Sequence, residues 1–371
     1  MNRLKLNYDN NLVNLSNSIL KHFGVKTFHK TMKDINEVLK KHQKVCVLLY
    51  DGLGSYIIRK HLSKNSFMRK HYFKTISSIY PPTTVAATTA FLSARYPIEN
   101  GWMAWSQYYD KYHCSVEVFK NTDYEYGKKL EEGKETIHLE HFSYESIIDL
   151  INKNTKTKAY KIMPNDLDPN GPHDLKEALD AITNSLRSAP SVFTYFYWAS
   201  PDHEIHTEGT NSKYVNKIIR DLNELTKKLV EMNKDTLFIS IADHGLINVE
   251  FIDLVVNQEM WQMFYRLPSF ESRITTFYIN DEYKNIFPKL FKKLYGQHFI
   301  LLTKKQVLDN KVFGLGTPHD GATDFIGDFV SFSIDEHSFN IHGYIPKEEM
   351  KAAHAGRSEK EELIDLSIYN L

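Results

Sequence analysis

A few short stretches of the 371-residue chain carry side chains able to hold a divalent cation or attack an electrophile. "LLYDGLG" ends an apolar run at Asp51, "YWASPDHEIHTEG" spaces Asp202 and His206 four residues apart, and "ISIADHG" sets Asp243 directly before His244. Asp-x-x-x-His puts two ligand side chains on one face of a helical turn and leaves His203 off that face. Adjacent residues normally diverge, so Asp243 and His244 can aim at one ion only where a strand ends and the backbone turns. Each aspartate alone could be a helix cap or turn residue. Three such strand ends in one chain favour a metal centre.

A further stretch, "IYPPTTVAATTAFLSAR", places Thr84 after Pro81, Pro82 and Thr83, at the start of a helix of small and apolar residues. Free amides and the positive end of the helix dipole there suit an attacking alkoxide and an anionic oxygen. A threonine cap is the plain alternative, and one residue can serve both ends. A threonine hydroxyl does not ionise at neutral pH unless a base or a metal activates it.

The elements that must position these groups are apolar runs at 44–54, 191–198, 235–245 and 325–334, which suit strands covered on both faces. Helical patterns lie between them at about 55–63, 85–95, 143–152, 173–188 and 211–232. The alternation predicts an α/β fold, a mostly parallel central sheet flanked by helices, with ligands gathered beyond the strands' carboxyl ends. Residues 251–315 interrupt the scheme and predict a small α/β cap insertion, leaving 1–250 and 316–371 as the catalytic core.

Forty-six basic and 46 acidic residues cancel, so no nucleic-acid polymer or anionic membrane is expected as partner. The first 20 residues lack the uninterrupted apolar core of a signal peptide, and no later run approaches the roughly 20 apolar residues that span a bilayer. A cytoplasmic location is the expectation. Cys46 and Cys114 alone make neither a disulfide framework nor a cysteine-built zinc site. Metals must be held by His, Asp and Thr. The oligomeric state is left open.

Asp51-Gly52, Pro-Pro-Thr-Thr, Asp202-x-x-x-His206 and Asp243-His244-Gly245, in this order, resemble the alkaline phosphatase superfamily, and within it the nucleotide pyrophosphatase/phosphodiesterase branch. The resemblance extends over most of 44–371, including "RLPSFESRITTFYI" and "VFGLG". It implies two divalent ions, zinc in most members with manganese as the alternative, and Thr84 as nucleophile. By position, Asp51, Thr84, Asp243 and His244 would surround one ion, and Asp202, His206 and a late histidine the other. For that last ligand His354, in "KAAHAGRSEKEELIDL", resembles the family's closing His-Gly-Gly segment with a Glu-rich helix after it, although Ala355 replaces the usual glycine. His319, in "GTPHDGAT", and His342, in "IHGY", compete with it.

The function expected is metal-dependent hydrolysis of a phosphodiester or pyrophosphate bond through a threonyl-phosphate intermediate. The substrate is a small phosphorylated molecule, with nucleotides among the candidates. No Lys or Arg adjoins Thr84, and Arg95 lies about three helical turns on. That favours a monoanionic diester over a dianionic monoester unless Arg273 or Arg357 reaches in. Members of the branch often have an Asn after the nucleophile helix, but "NGWMAWSQYYD" puts Trp105 near that place and Asn100 earlier. Trp102, Trp105, Tyr108 and Tyr109 could stack on a base or form a buried aromatic cluster. The alternatives are a phosphomonoesterase or phosphomutase of the same superfamily, the mutase expecting a Ser nucleophile and a larger cap, or a non-catalytic relative that binds a phosphorylated ligand. A sulfatase would need Cys-x-Pro-x-Arg or Ser-x-Pro-x-Arg, which the chain lacks.

Overall fold

The computed structural model describes residues 7–130, 136–341 and 350–370; His342 lies outside them. Among the described residues the main sheet has six strands: β1 (Lys44–Tyr50), β2 (Tyr72–Ser77), β3 (Lys158–Ile162), β4 (Val192–Trp198), β5 (Thr236–Ile241) and β6 (Leu363–Tyr369). Their order across the sheet is β2-β6-β5-β1-β4-β3. β5, β1, β4 and β3 run parallel, while β6 runs antiparallel between β2 and β5. The sheet is therefore mixed, with its parallel part at the centre. β1, β4 and β5 are buried along nearly their whole length, as continuous apolar runs covered by helices on both faces must be.

The helices fall close to the expected windows, at Ser55–His61, Thr84–Ser93, Ile147–Asn154, Leu175–Arg187 and Lys213–Met232. The last buries Val215, Ile219, Leu222, Leu225, Thr226 and Leu229 along one stripe, the 3.6-residue period of a helix laid on a sheet. Thr84–Ser93 differs, because all ten of its residues are buried. A helix of Ala, Thr, Val and Phe can pass through the core because its side chains are small and its threonines satisfy their hydroxyls locally, as Thr88 does on the Thr84 carbonyl at 2.6 Å.

Two expectations about the C-terminal third change. The apolar run at 325–334 does form a strand, Phe329–Ser333, but it pairs antiparallel with Ile274–Ile279 and Phe299–Thr303 in a second, seven-stranded sheet. Continuous hydrophobicity says that a strand is covered, not which sheet covers it. The Glu-rich helix after His354 shrinks to the single turn Glu359–Glu362, and "LIDLSIY" then becomes β6. The second sheet takes Phe264–Glu271, Ile274–Ile279 and Phe299–Thr303 from within 251–315, and also Ser106–Tyr109, Cys114–Glu117, Thr122–Asp123 and Phe329–Ser333 from outside it. Under it lies a small aromatic core that includes Phe277, Phe287, Phe291, Phe299, Phe329 and Phe339.

Arg273 joins the two sheets. It is fully buried and paired with fully buried Glu361, Nε to Oε1 at 2.7 Å and Nη2 to Oε2 at 3.0 Å. Its remaining donors reach the Asp335 and His337 carbonyls at 2.6 and 2.9 Å and Ser338 Oγ at 3.4 Å. All five guanidinium N–H groups are thus used, which is what makes so deep a charge tolerable. Arg273 is a structural clamp and does not reach a substrate. Arg357 pairs with Glu362 at 2.7 Å and lies over the Tyr80 ring. The exchange Arg273→Met leaves Glu361 buried without its partner and should destabilise the fold by about 3–5 kcal/mol. Denaturant unfolding read by tryptophan fluorescence checks this; an unchanged midpoint would contradict it.

Candidate metal centre

β5, β1 and β4 lie side by side, with Tyr50 level with Trp198 and Leu49 level with Ile241. Whatever follows these strands emerges at one end of the sheet, the place where open α/β sheets bind ligands. The Asp51 amide donates to the Trp198 carbonyl at 2.9 Å, and the Asp202 amide donates to the Asp51 carbonyl at 3.1 Å. Two strand ends are thereby tied together. Gly52 has a φ of +70°, and a Cβ on it would lie 2.9 Å from the Asp202 Cα. Only glycine combines that turn with that approach. A Cβ on Gly54 would lie 2.6 Å from the Gly245 Cα, so the turns after β1 and β5 also touch backbone to backbone.

Thr84 opens its helix with Oγ1 at 3.4 Å from Asp51 Oδ2 and 3.2 Å from His244 Nε2. His244 Nε2 also lies 3.4 Å from Asp51 Oδ1 and 3.6 Å from Asp243 Oδ2. These four side chains form one set. Asp202 and His206 sit one turn apart on the helix Asp202–Glu208, with Nε2 to Oδ2 at 3.3 Å, while His203 is exposed. His354 Nε2 lies 4.0 Å from Asp202 Oδ1, which completes a second set. The sets adjoin, since the His354 ring is centred 4.0 Å from that of His244 and 5.1 Å from that of His206. His319 is elsewhere: its Nδ1 faces the Asp320 carbonyl at 2.6 Å and its ring packs on Phe142.

Burial and mutual repulsion dominate the electrostatics. Burial, then the charges of Asp243 and Asp202, raise Asp51 well above the usual carboxylate range. Burial also raises Asp243, and His244 opposes it. Burial pushes Asp202 the same way, but His206, His354 and His244 together bring it below the ordinary value. Burial, then His244, hold His354 well below the usual imidazole range, so its ring is neutral and has a free lone pair.

The donor set fits divalent cations. The His206 Nδ1 faces the Ala352 carbonyl at 2.7 Å and so carries the proton, leaving the Nε2 lone pair, on the side of Asp202, as a candidate ligand atom. The His244 Nδ1 is placed in the same way on the Gly245 carbonyl at 3.3 Å. The Tyr197 hydroxyl donates to Asp51 Oδ2 and orients that carboxylate. Asp202 Oδ1, Asp243 Oδ2 and His354 Nδ1 are buried with no hydrogen-bond partner among the described residues. An orphaned buried polar atom costs about 1–3 kcal/mol. Asp202 Oδ1 faces His354 Nε2 and Asp243 Oδ2 faces His244 Nε2, so these two carboxylate oxygens are directed at imidazole nitrogens, the mixed N/O donors a cation site requires.

Glu271 escaped the sequence reasoning. Its Oε1 accepts from Thr83 Oγ1 at 2.7 Å and from the Trp105 amide at 2.8 Å, and its Oε2 lies 3.6 Å from His354 Nδ1. One buried carboxylate thus touches the approach to Thr84 and the late histidine. Its signal was a lone carboxylate in the stretch "PSFESRITTF". Ala355 has a φ of +77°, which explains why glycine suits that position. Asn100 is not near a ligand role: its amide holds Ser93 Oγ at 3.1 Å and the Trp102 amide at 2.9 Å. Trp102 and Tyr109 are buried and pack on His138, whereas Trp105 is half-buried, with its indole N–H on Glu117 at 2.8 Å.

The sequence profile of the family described as type I phosphodiesterase / nucleotide pyrophosphatase matches residues 45–356. Comparison with curated proteins gives no match. Among solved structures, murine ectonucleotide pyrophosphatase/phosphodiesterase 5 superposes with a TM-score of 0.65 at 14% identity, covering 88% of each chain. An inactive Thr-to-Ala form of that murine protein in complex with AMP gives 0.65 at 13% identity and covers 88% of each chain. The human protein gives 0.63 at 14%, covering 88% of this chain and 87% of its own. At such identities the likeness concerns the fold, and the profile carries the membership. The chain belongs to the type I phosphodiesterase/nucleotide pyrophosphatase family of the alkaline phosphatase superfamily and is a phosphodiesterase-like hydrolase.

Proposed function

We propose that the chain hydrolyses a phosphodiester or pyrophosphate bond of a small nucleotide-type substrate in two steps through Thr84. The observation that carries this reading is a threonine hydroxyl at a helix start, within 3.5 Å of Asp51 and His244 and beside a second Asp-His-His set. Asp51, Thr84, Asp243 and His244 would hold one divalent ion, and Asp202, His206 and His354 another, with zinc or manganese suited to these N/O donors. When bound, such ions supply the charge that makes a threonine hydroxyl nucleophilic at neutral pH and that neutralises phosphoryl oxygens.

The chain's own groups do the rest. Thr84 Oγ1 attacks phosphorus, a threonyl-phosphate ester forms, and the bond to the leaving oxygen breaks. Water then cleaves the ester, returning Thr84 and releasing the phosphoryl product. Asp51 accepts the hydrogen of Thr84 Oγ1 in the resting site, and Tyr197 holds that carboxylate in place. The first amides of the Thr84–Ser93 helix lack intrahelical partners and can hold a non-bridging oxygen as its charge grows. Glu271 fixes Thr83 and the Trp105 backbone, so the start of the helix is held from outside.

Two observations favour a diester over a monoester. Arg273 and Arg357, the cations that could have served a dianion, are engaged with Glu361 and Glu362. A structural neighbour has been captured with AMP in an inactive Thr-to-Ala form, which supports a nucleotide-type substrate and a role for threonine. Trp105, the half-buried aromatic whose backbone meets Glu271, is a candidate surface for the base.

With bis-p-nitrophenyl phosphate as substrate, Thr84→Ala should lower kcat by about a thousandfold or more while leaving the melting temperature within a few degrees. Equal hydrolysis by the variant, or faster cleavage of p-nitrophenyl phosphate than of the diester, would overturn the proposal. Dialysis against a chelator should bring diester hydrolysis to background, with zinc or manganese restoring it. A metal-free sample that keeps its full rate would rule the metal assignment out. Glu271→Gln keeps size but loses charge, and should lower metal affinity by about 10–100-fold if the carboxylate supports His354. An unchanged dissociation constant by competitive chelator titration would assign Glu271 to packing alone.

A further inference from the structure

A second group of ligating side chains stands apart from the residues above. His298 lies in the turn between the helix Phe287–Tyr295 and the strand Phe299–Thr303, and Asp335 and His337 follow the strand Phe329–Ser333. His298 Nδ1 is 2.7 Å from Asp335 Oδ2, and His337 Nδ1 is 3.0 Å from Asp335 Oδ1. The two imidazoles face each other with centroids 3.6 Å apart. One donor atom from each of the three residues lies within 4.8 Å of the others.

We propose that His298, Asp335 and His337 form a peripheral divalent-metal site of the zinc type. The two rings lie this close and point the same nitrogen at one carboxylate, so their donor atoms gather at one place. With both Nδ1 atoms deprotonated they and Asp335 form an N2O set, the donor chemistry zinc prefers. Ligand atoms about 2.0–2.2 Å from a tetrahedral ion stand on the order of 3.3 Å apart. Each imidazole nitrogen already stands 2.7 or 3.0 Å from one oxygen of the Asp335 carboxylate, and one donor atom per residue lies within 4.8 Å of the others, so the three residues can close on one ion by small side-chain rotations.

The turn is also built before any ion arrives. The His337 amide donates to Asp335 Oδ1 at 3.0 Å, and Ser333 Oγ donates to the His337 carbonyl at 2.7 Å. Glu250 stands at the other side of the His337 ring, 3.9 Å from Nε2, where it can orient the imidazole without competing for the ion.

The role of such a site is support. It contains no nucleophile, but the carbonyls of Asp335 and His337 receive Arg273, which holds Glu361, whose own carbonyl accepts the Gly245 amide at 2.9 Å. An ion bound by His298, Asp335 and His337 therefore stiffens the chain of contacts that ends beside His244. It pins the turn before Phe299 to the turn after Ser333 without touching substrate.

Zinc stoichiometry of the full chain, measured by equilibrium dialysis, tests the site. The double variant His298→Asn/His337→Asn should bind one equivalent fewer than the parent while its diester hydrolysis stays within about twofold. The partly exposed single variant His298→Asn gives the same reading should the double exchange disturb the turn. An Asp202→Asn/His206→Asn chain should still bind the peripheral equivalent, which separates this proposal from the catalytic one. Equal zinc content in parent and peripheral variants would overturn it and leave the three residues as a proton-held His-Asp-His contact.

Discussion

Three carboxylates, Asp51, Asp202 and Asp243, meet at the carboxyl end of a buried sheet, where little water screens their repulsion. Much of the surrounding structure is arranged around that concentration of negative charge. Asp202 stays ionised because three histidines face it, Asp51 is driven toward its neutral form by burial and by the charges of Asp243 and Asp202, and Asp243 is raised by burial against the opposing pull of His244. A folded chain would not retain such a cluster for stability alone, since apolar residues of similar size would pack there with less cost. Its fit is to cations.

Precision comes from backbone contacts that allow no Cβ. Gly52 against Asp202 and Gly54 against Gly245 bring the turns after β1, β4 and β5 into direct contact, so the candidate ligand side chains stand together instead of on three separate loop tips. Behind them, Arg273 and Glu361 lock the second sheet to the C-terminal segment that carries His354. The Glu361 side chain accepts from the Gly356 amide at 2.8 Å and its carbonyl from the Gly245 amide at 2.9 Å. A single buried ion pair thereby ties together the segments that carry His244 and His354, far apart in the chain.

Local signals made much of the site legible. Asp202-x-x-x-His206 could be placed on a helical face because a period of 3.6 residues is a property of the backbone, and Asp243-His244 could be placed at a strand end because an apolar run stops there. Pro81-Pro82 and the small residues after Thr84 announced a helix start for the same reason. Glu271, Tyr197 and the Arg273–Glu361 pair were not legible in this way. Each acts on residues at least 83 positions distant, and one sequence holds no record of such pairings.

Composition and periodicity by themselves determined an α/β chain with buried parallel strands, helices in nearly the right windows, and Asp51, Asp202, His206, Asp243 and His244 as candidate groups at strand ends; the family resemblance added Thr84 and His354 to that set. They did so because hydrophobic pattern and turn chemistry are set within a few residues. Only the tertiary structure decided that Phe329–Ser333 joins the second sheet, that the C-terminal strand enters the main sheet antiparallel, and that His354 rather than His319 stands beside Asp202. Those outcomes depend on which buried surfaces meet and which charges must be neutralised across the fold. Such terms exist only once distant segments are in contact.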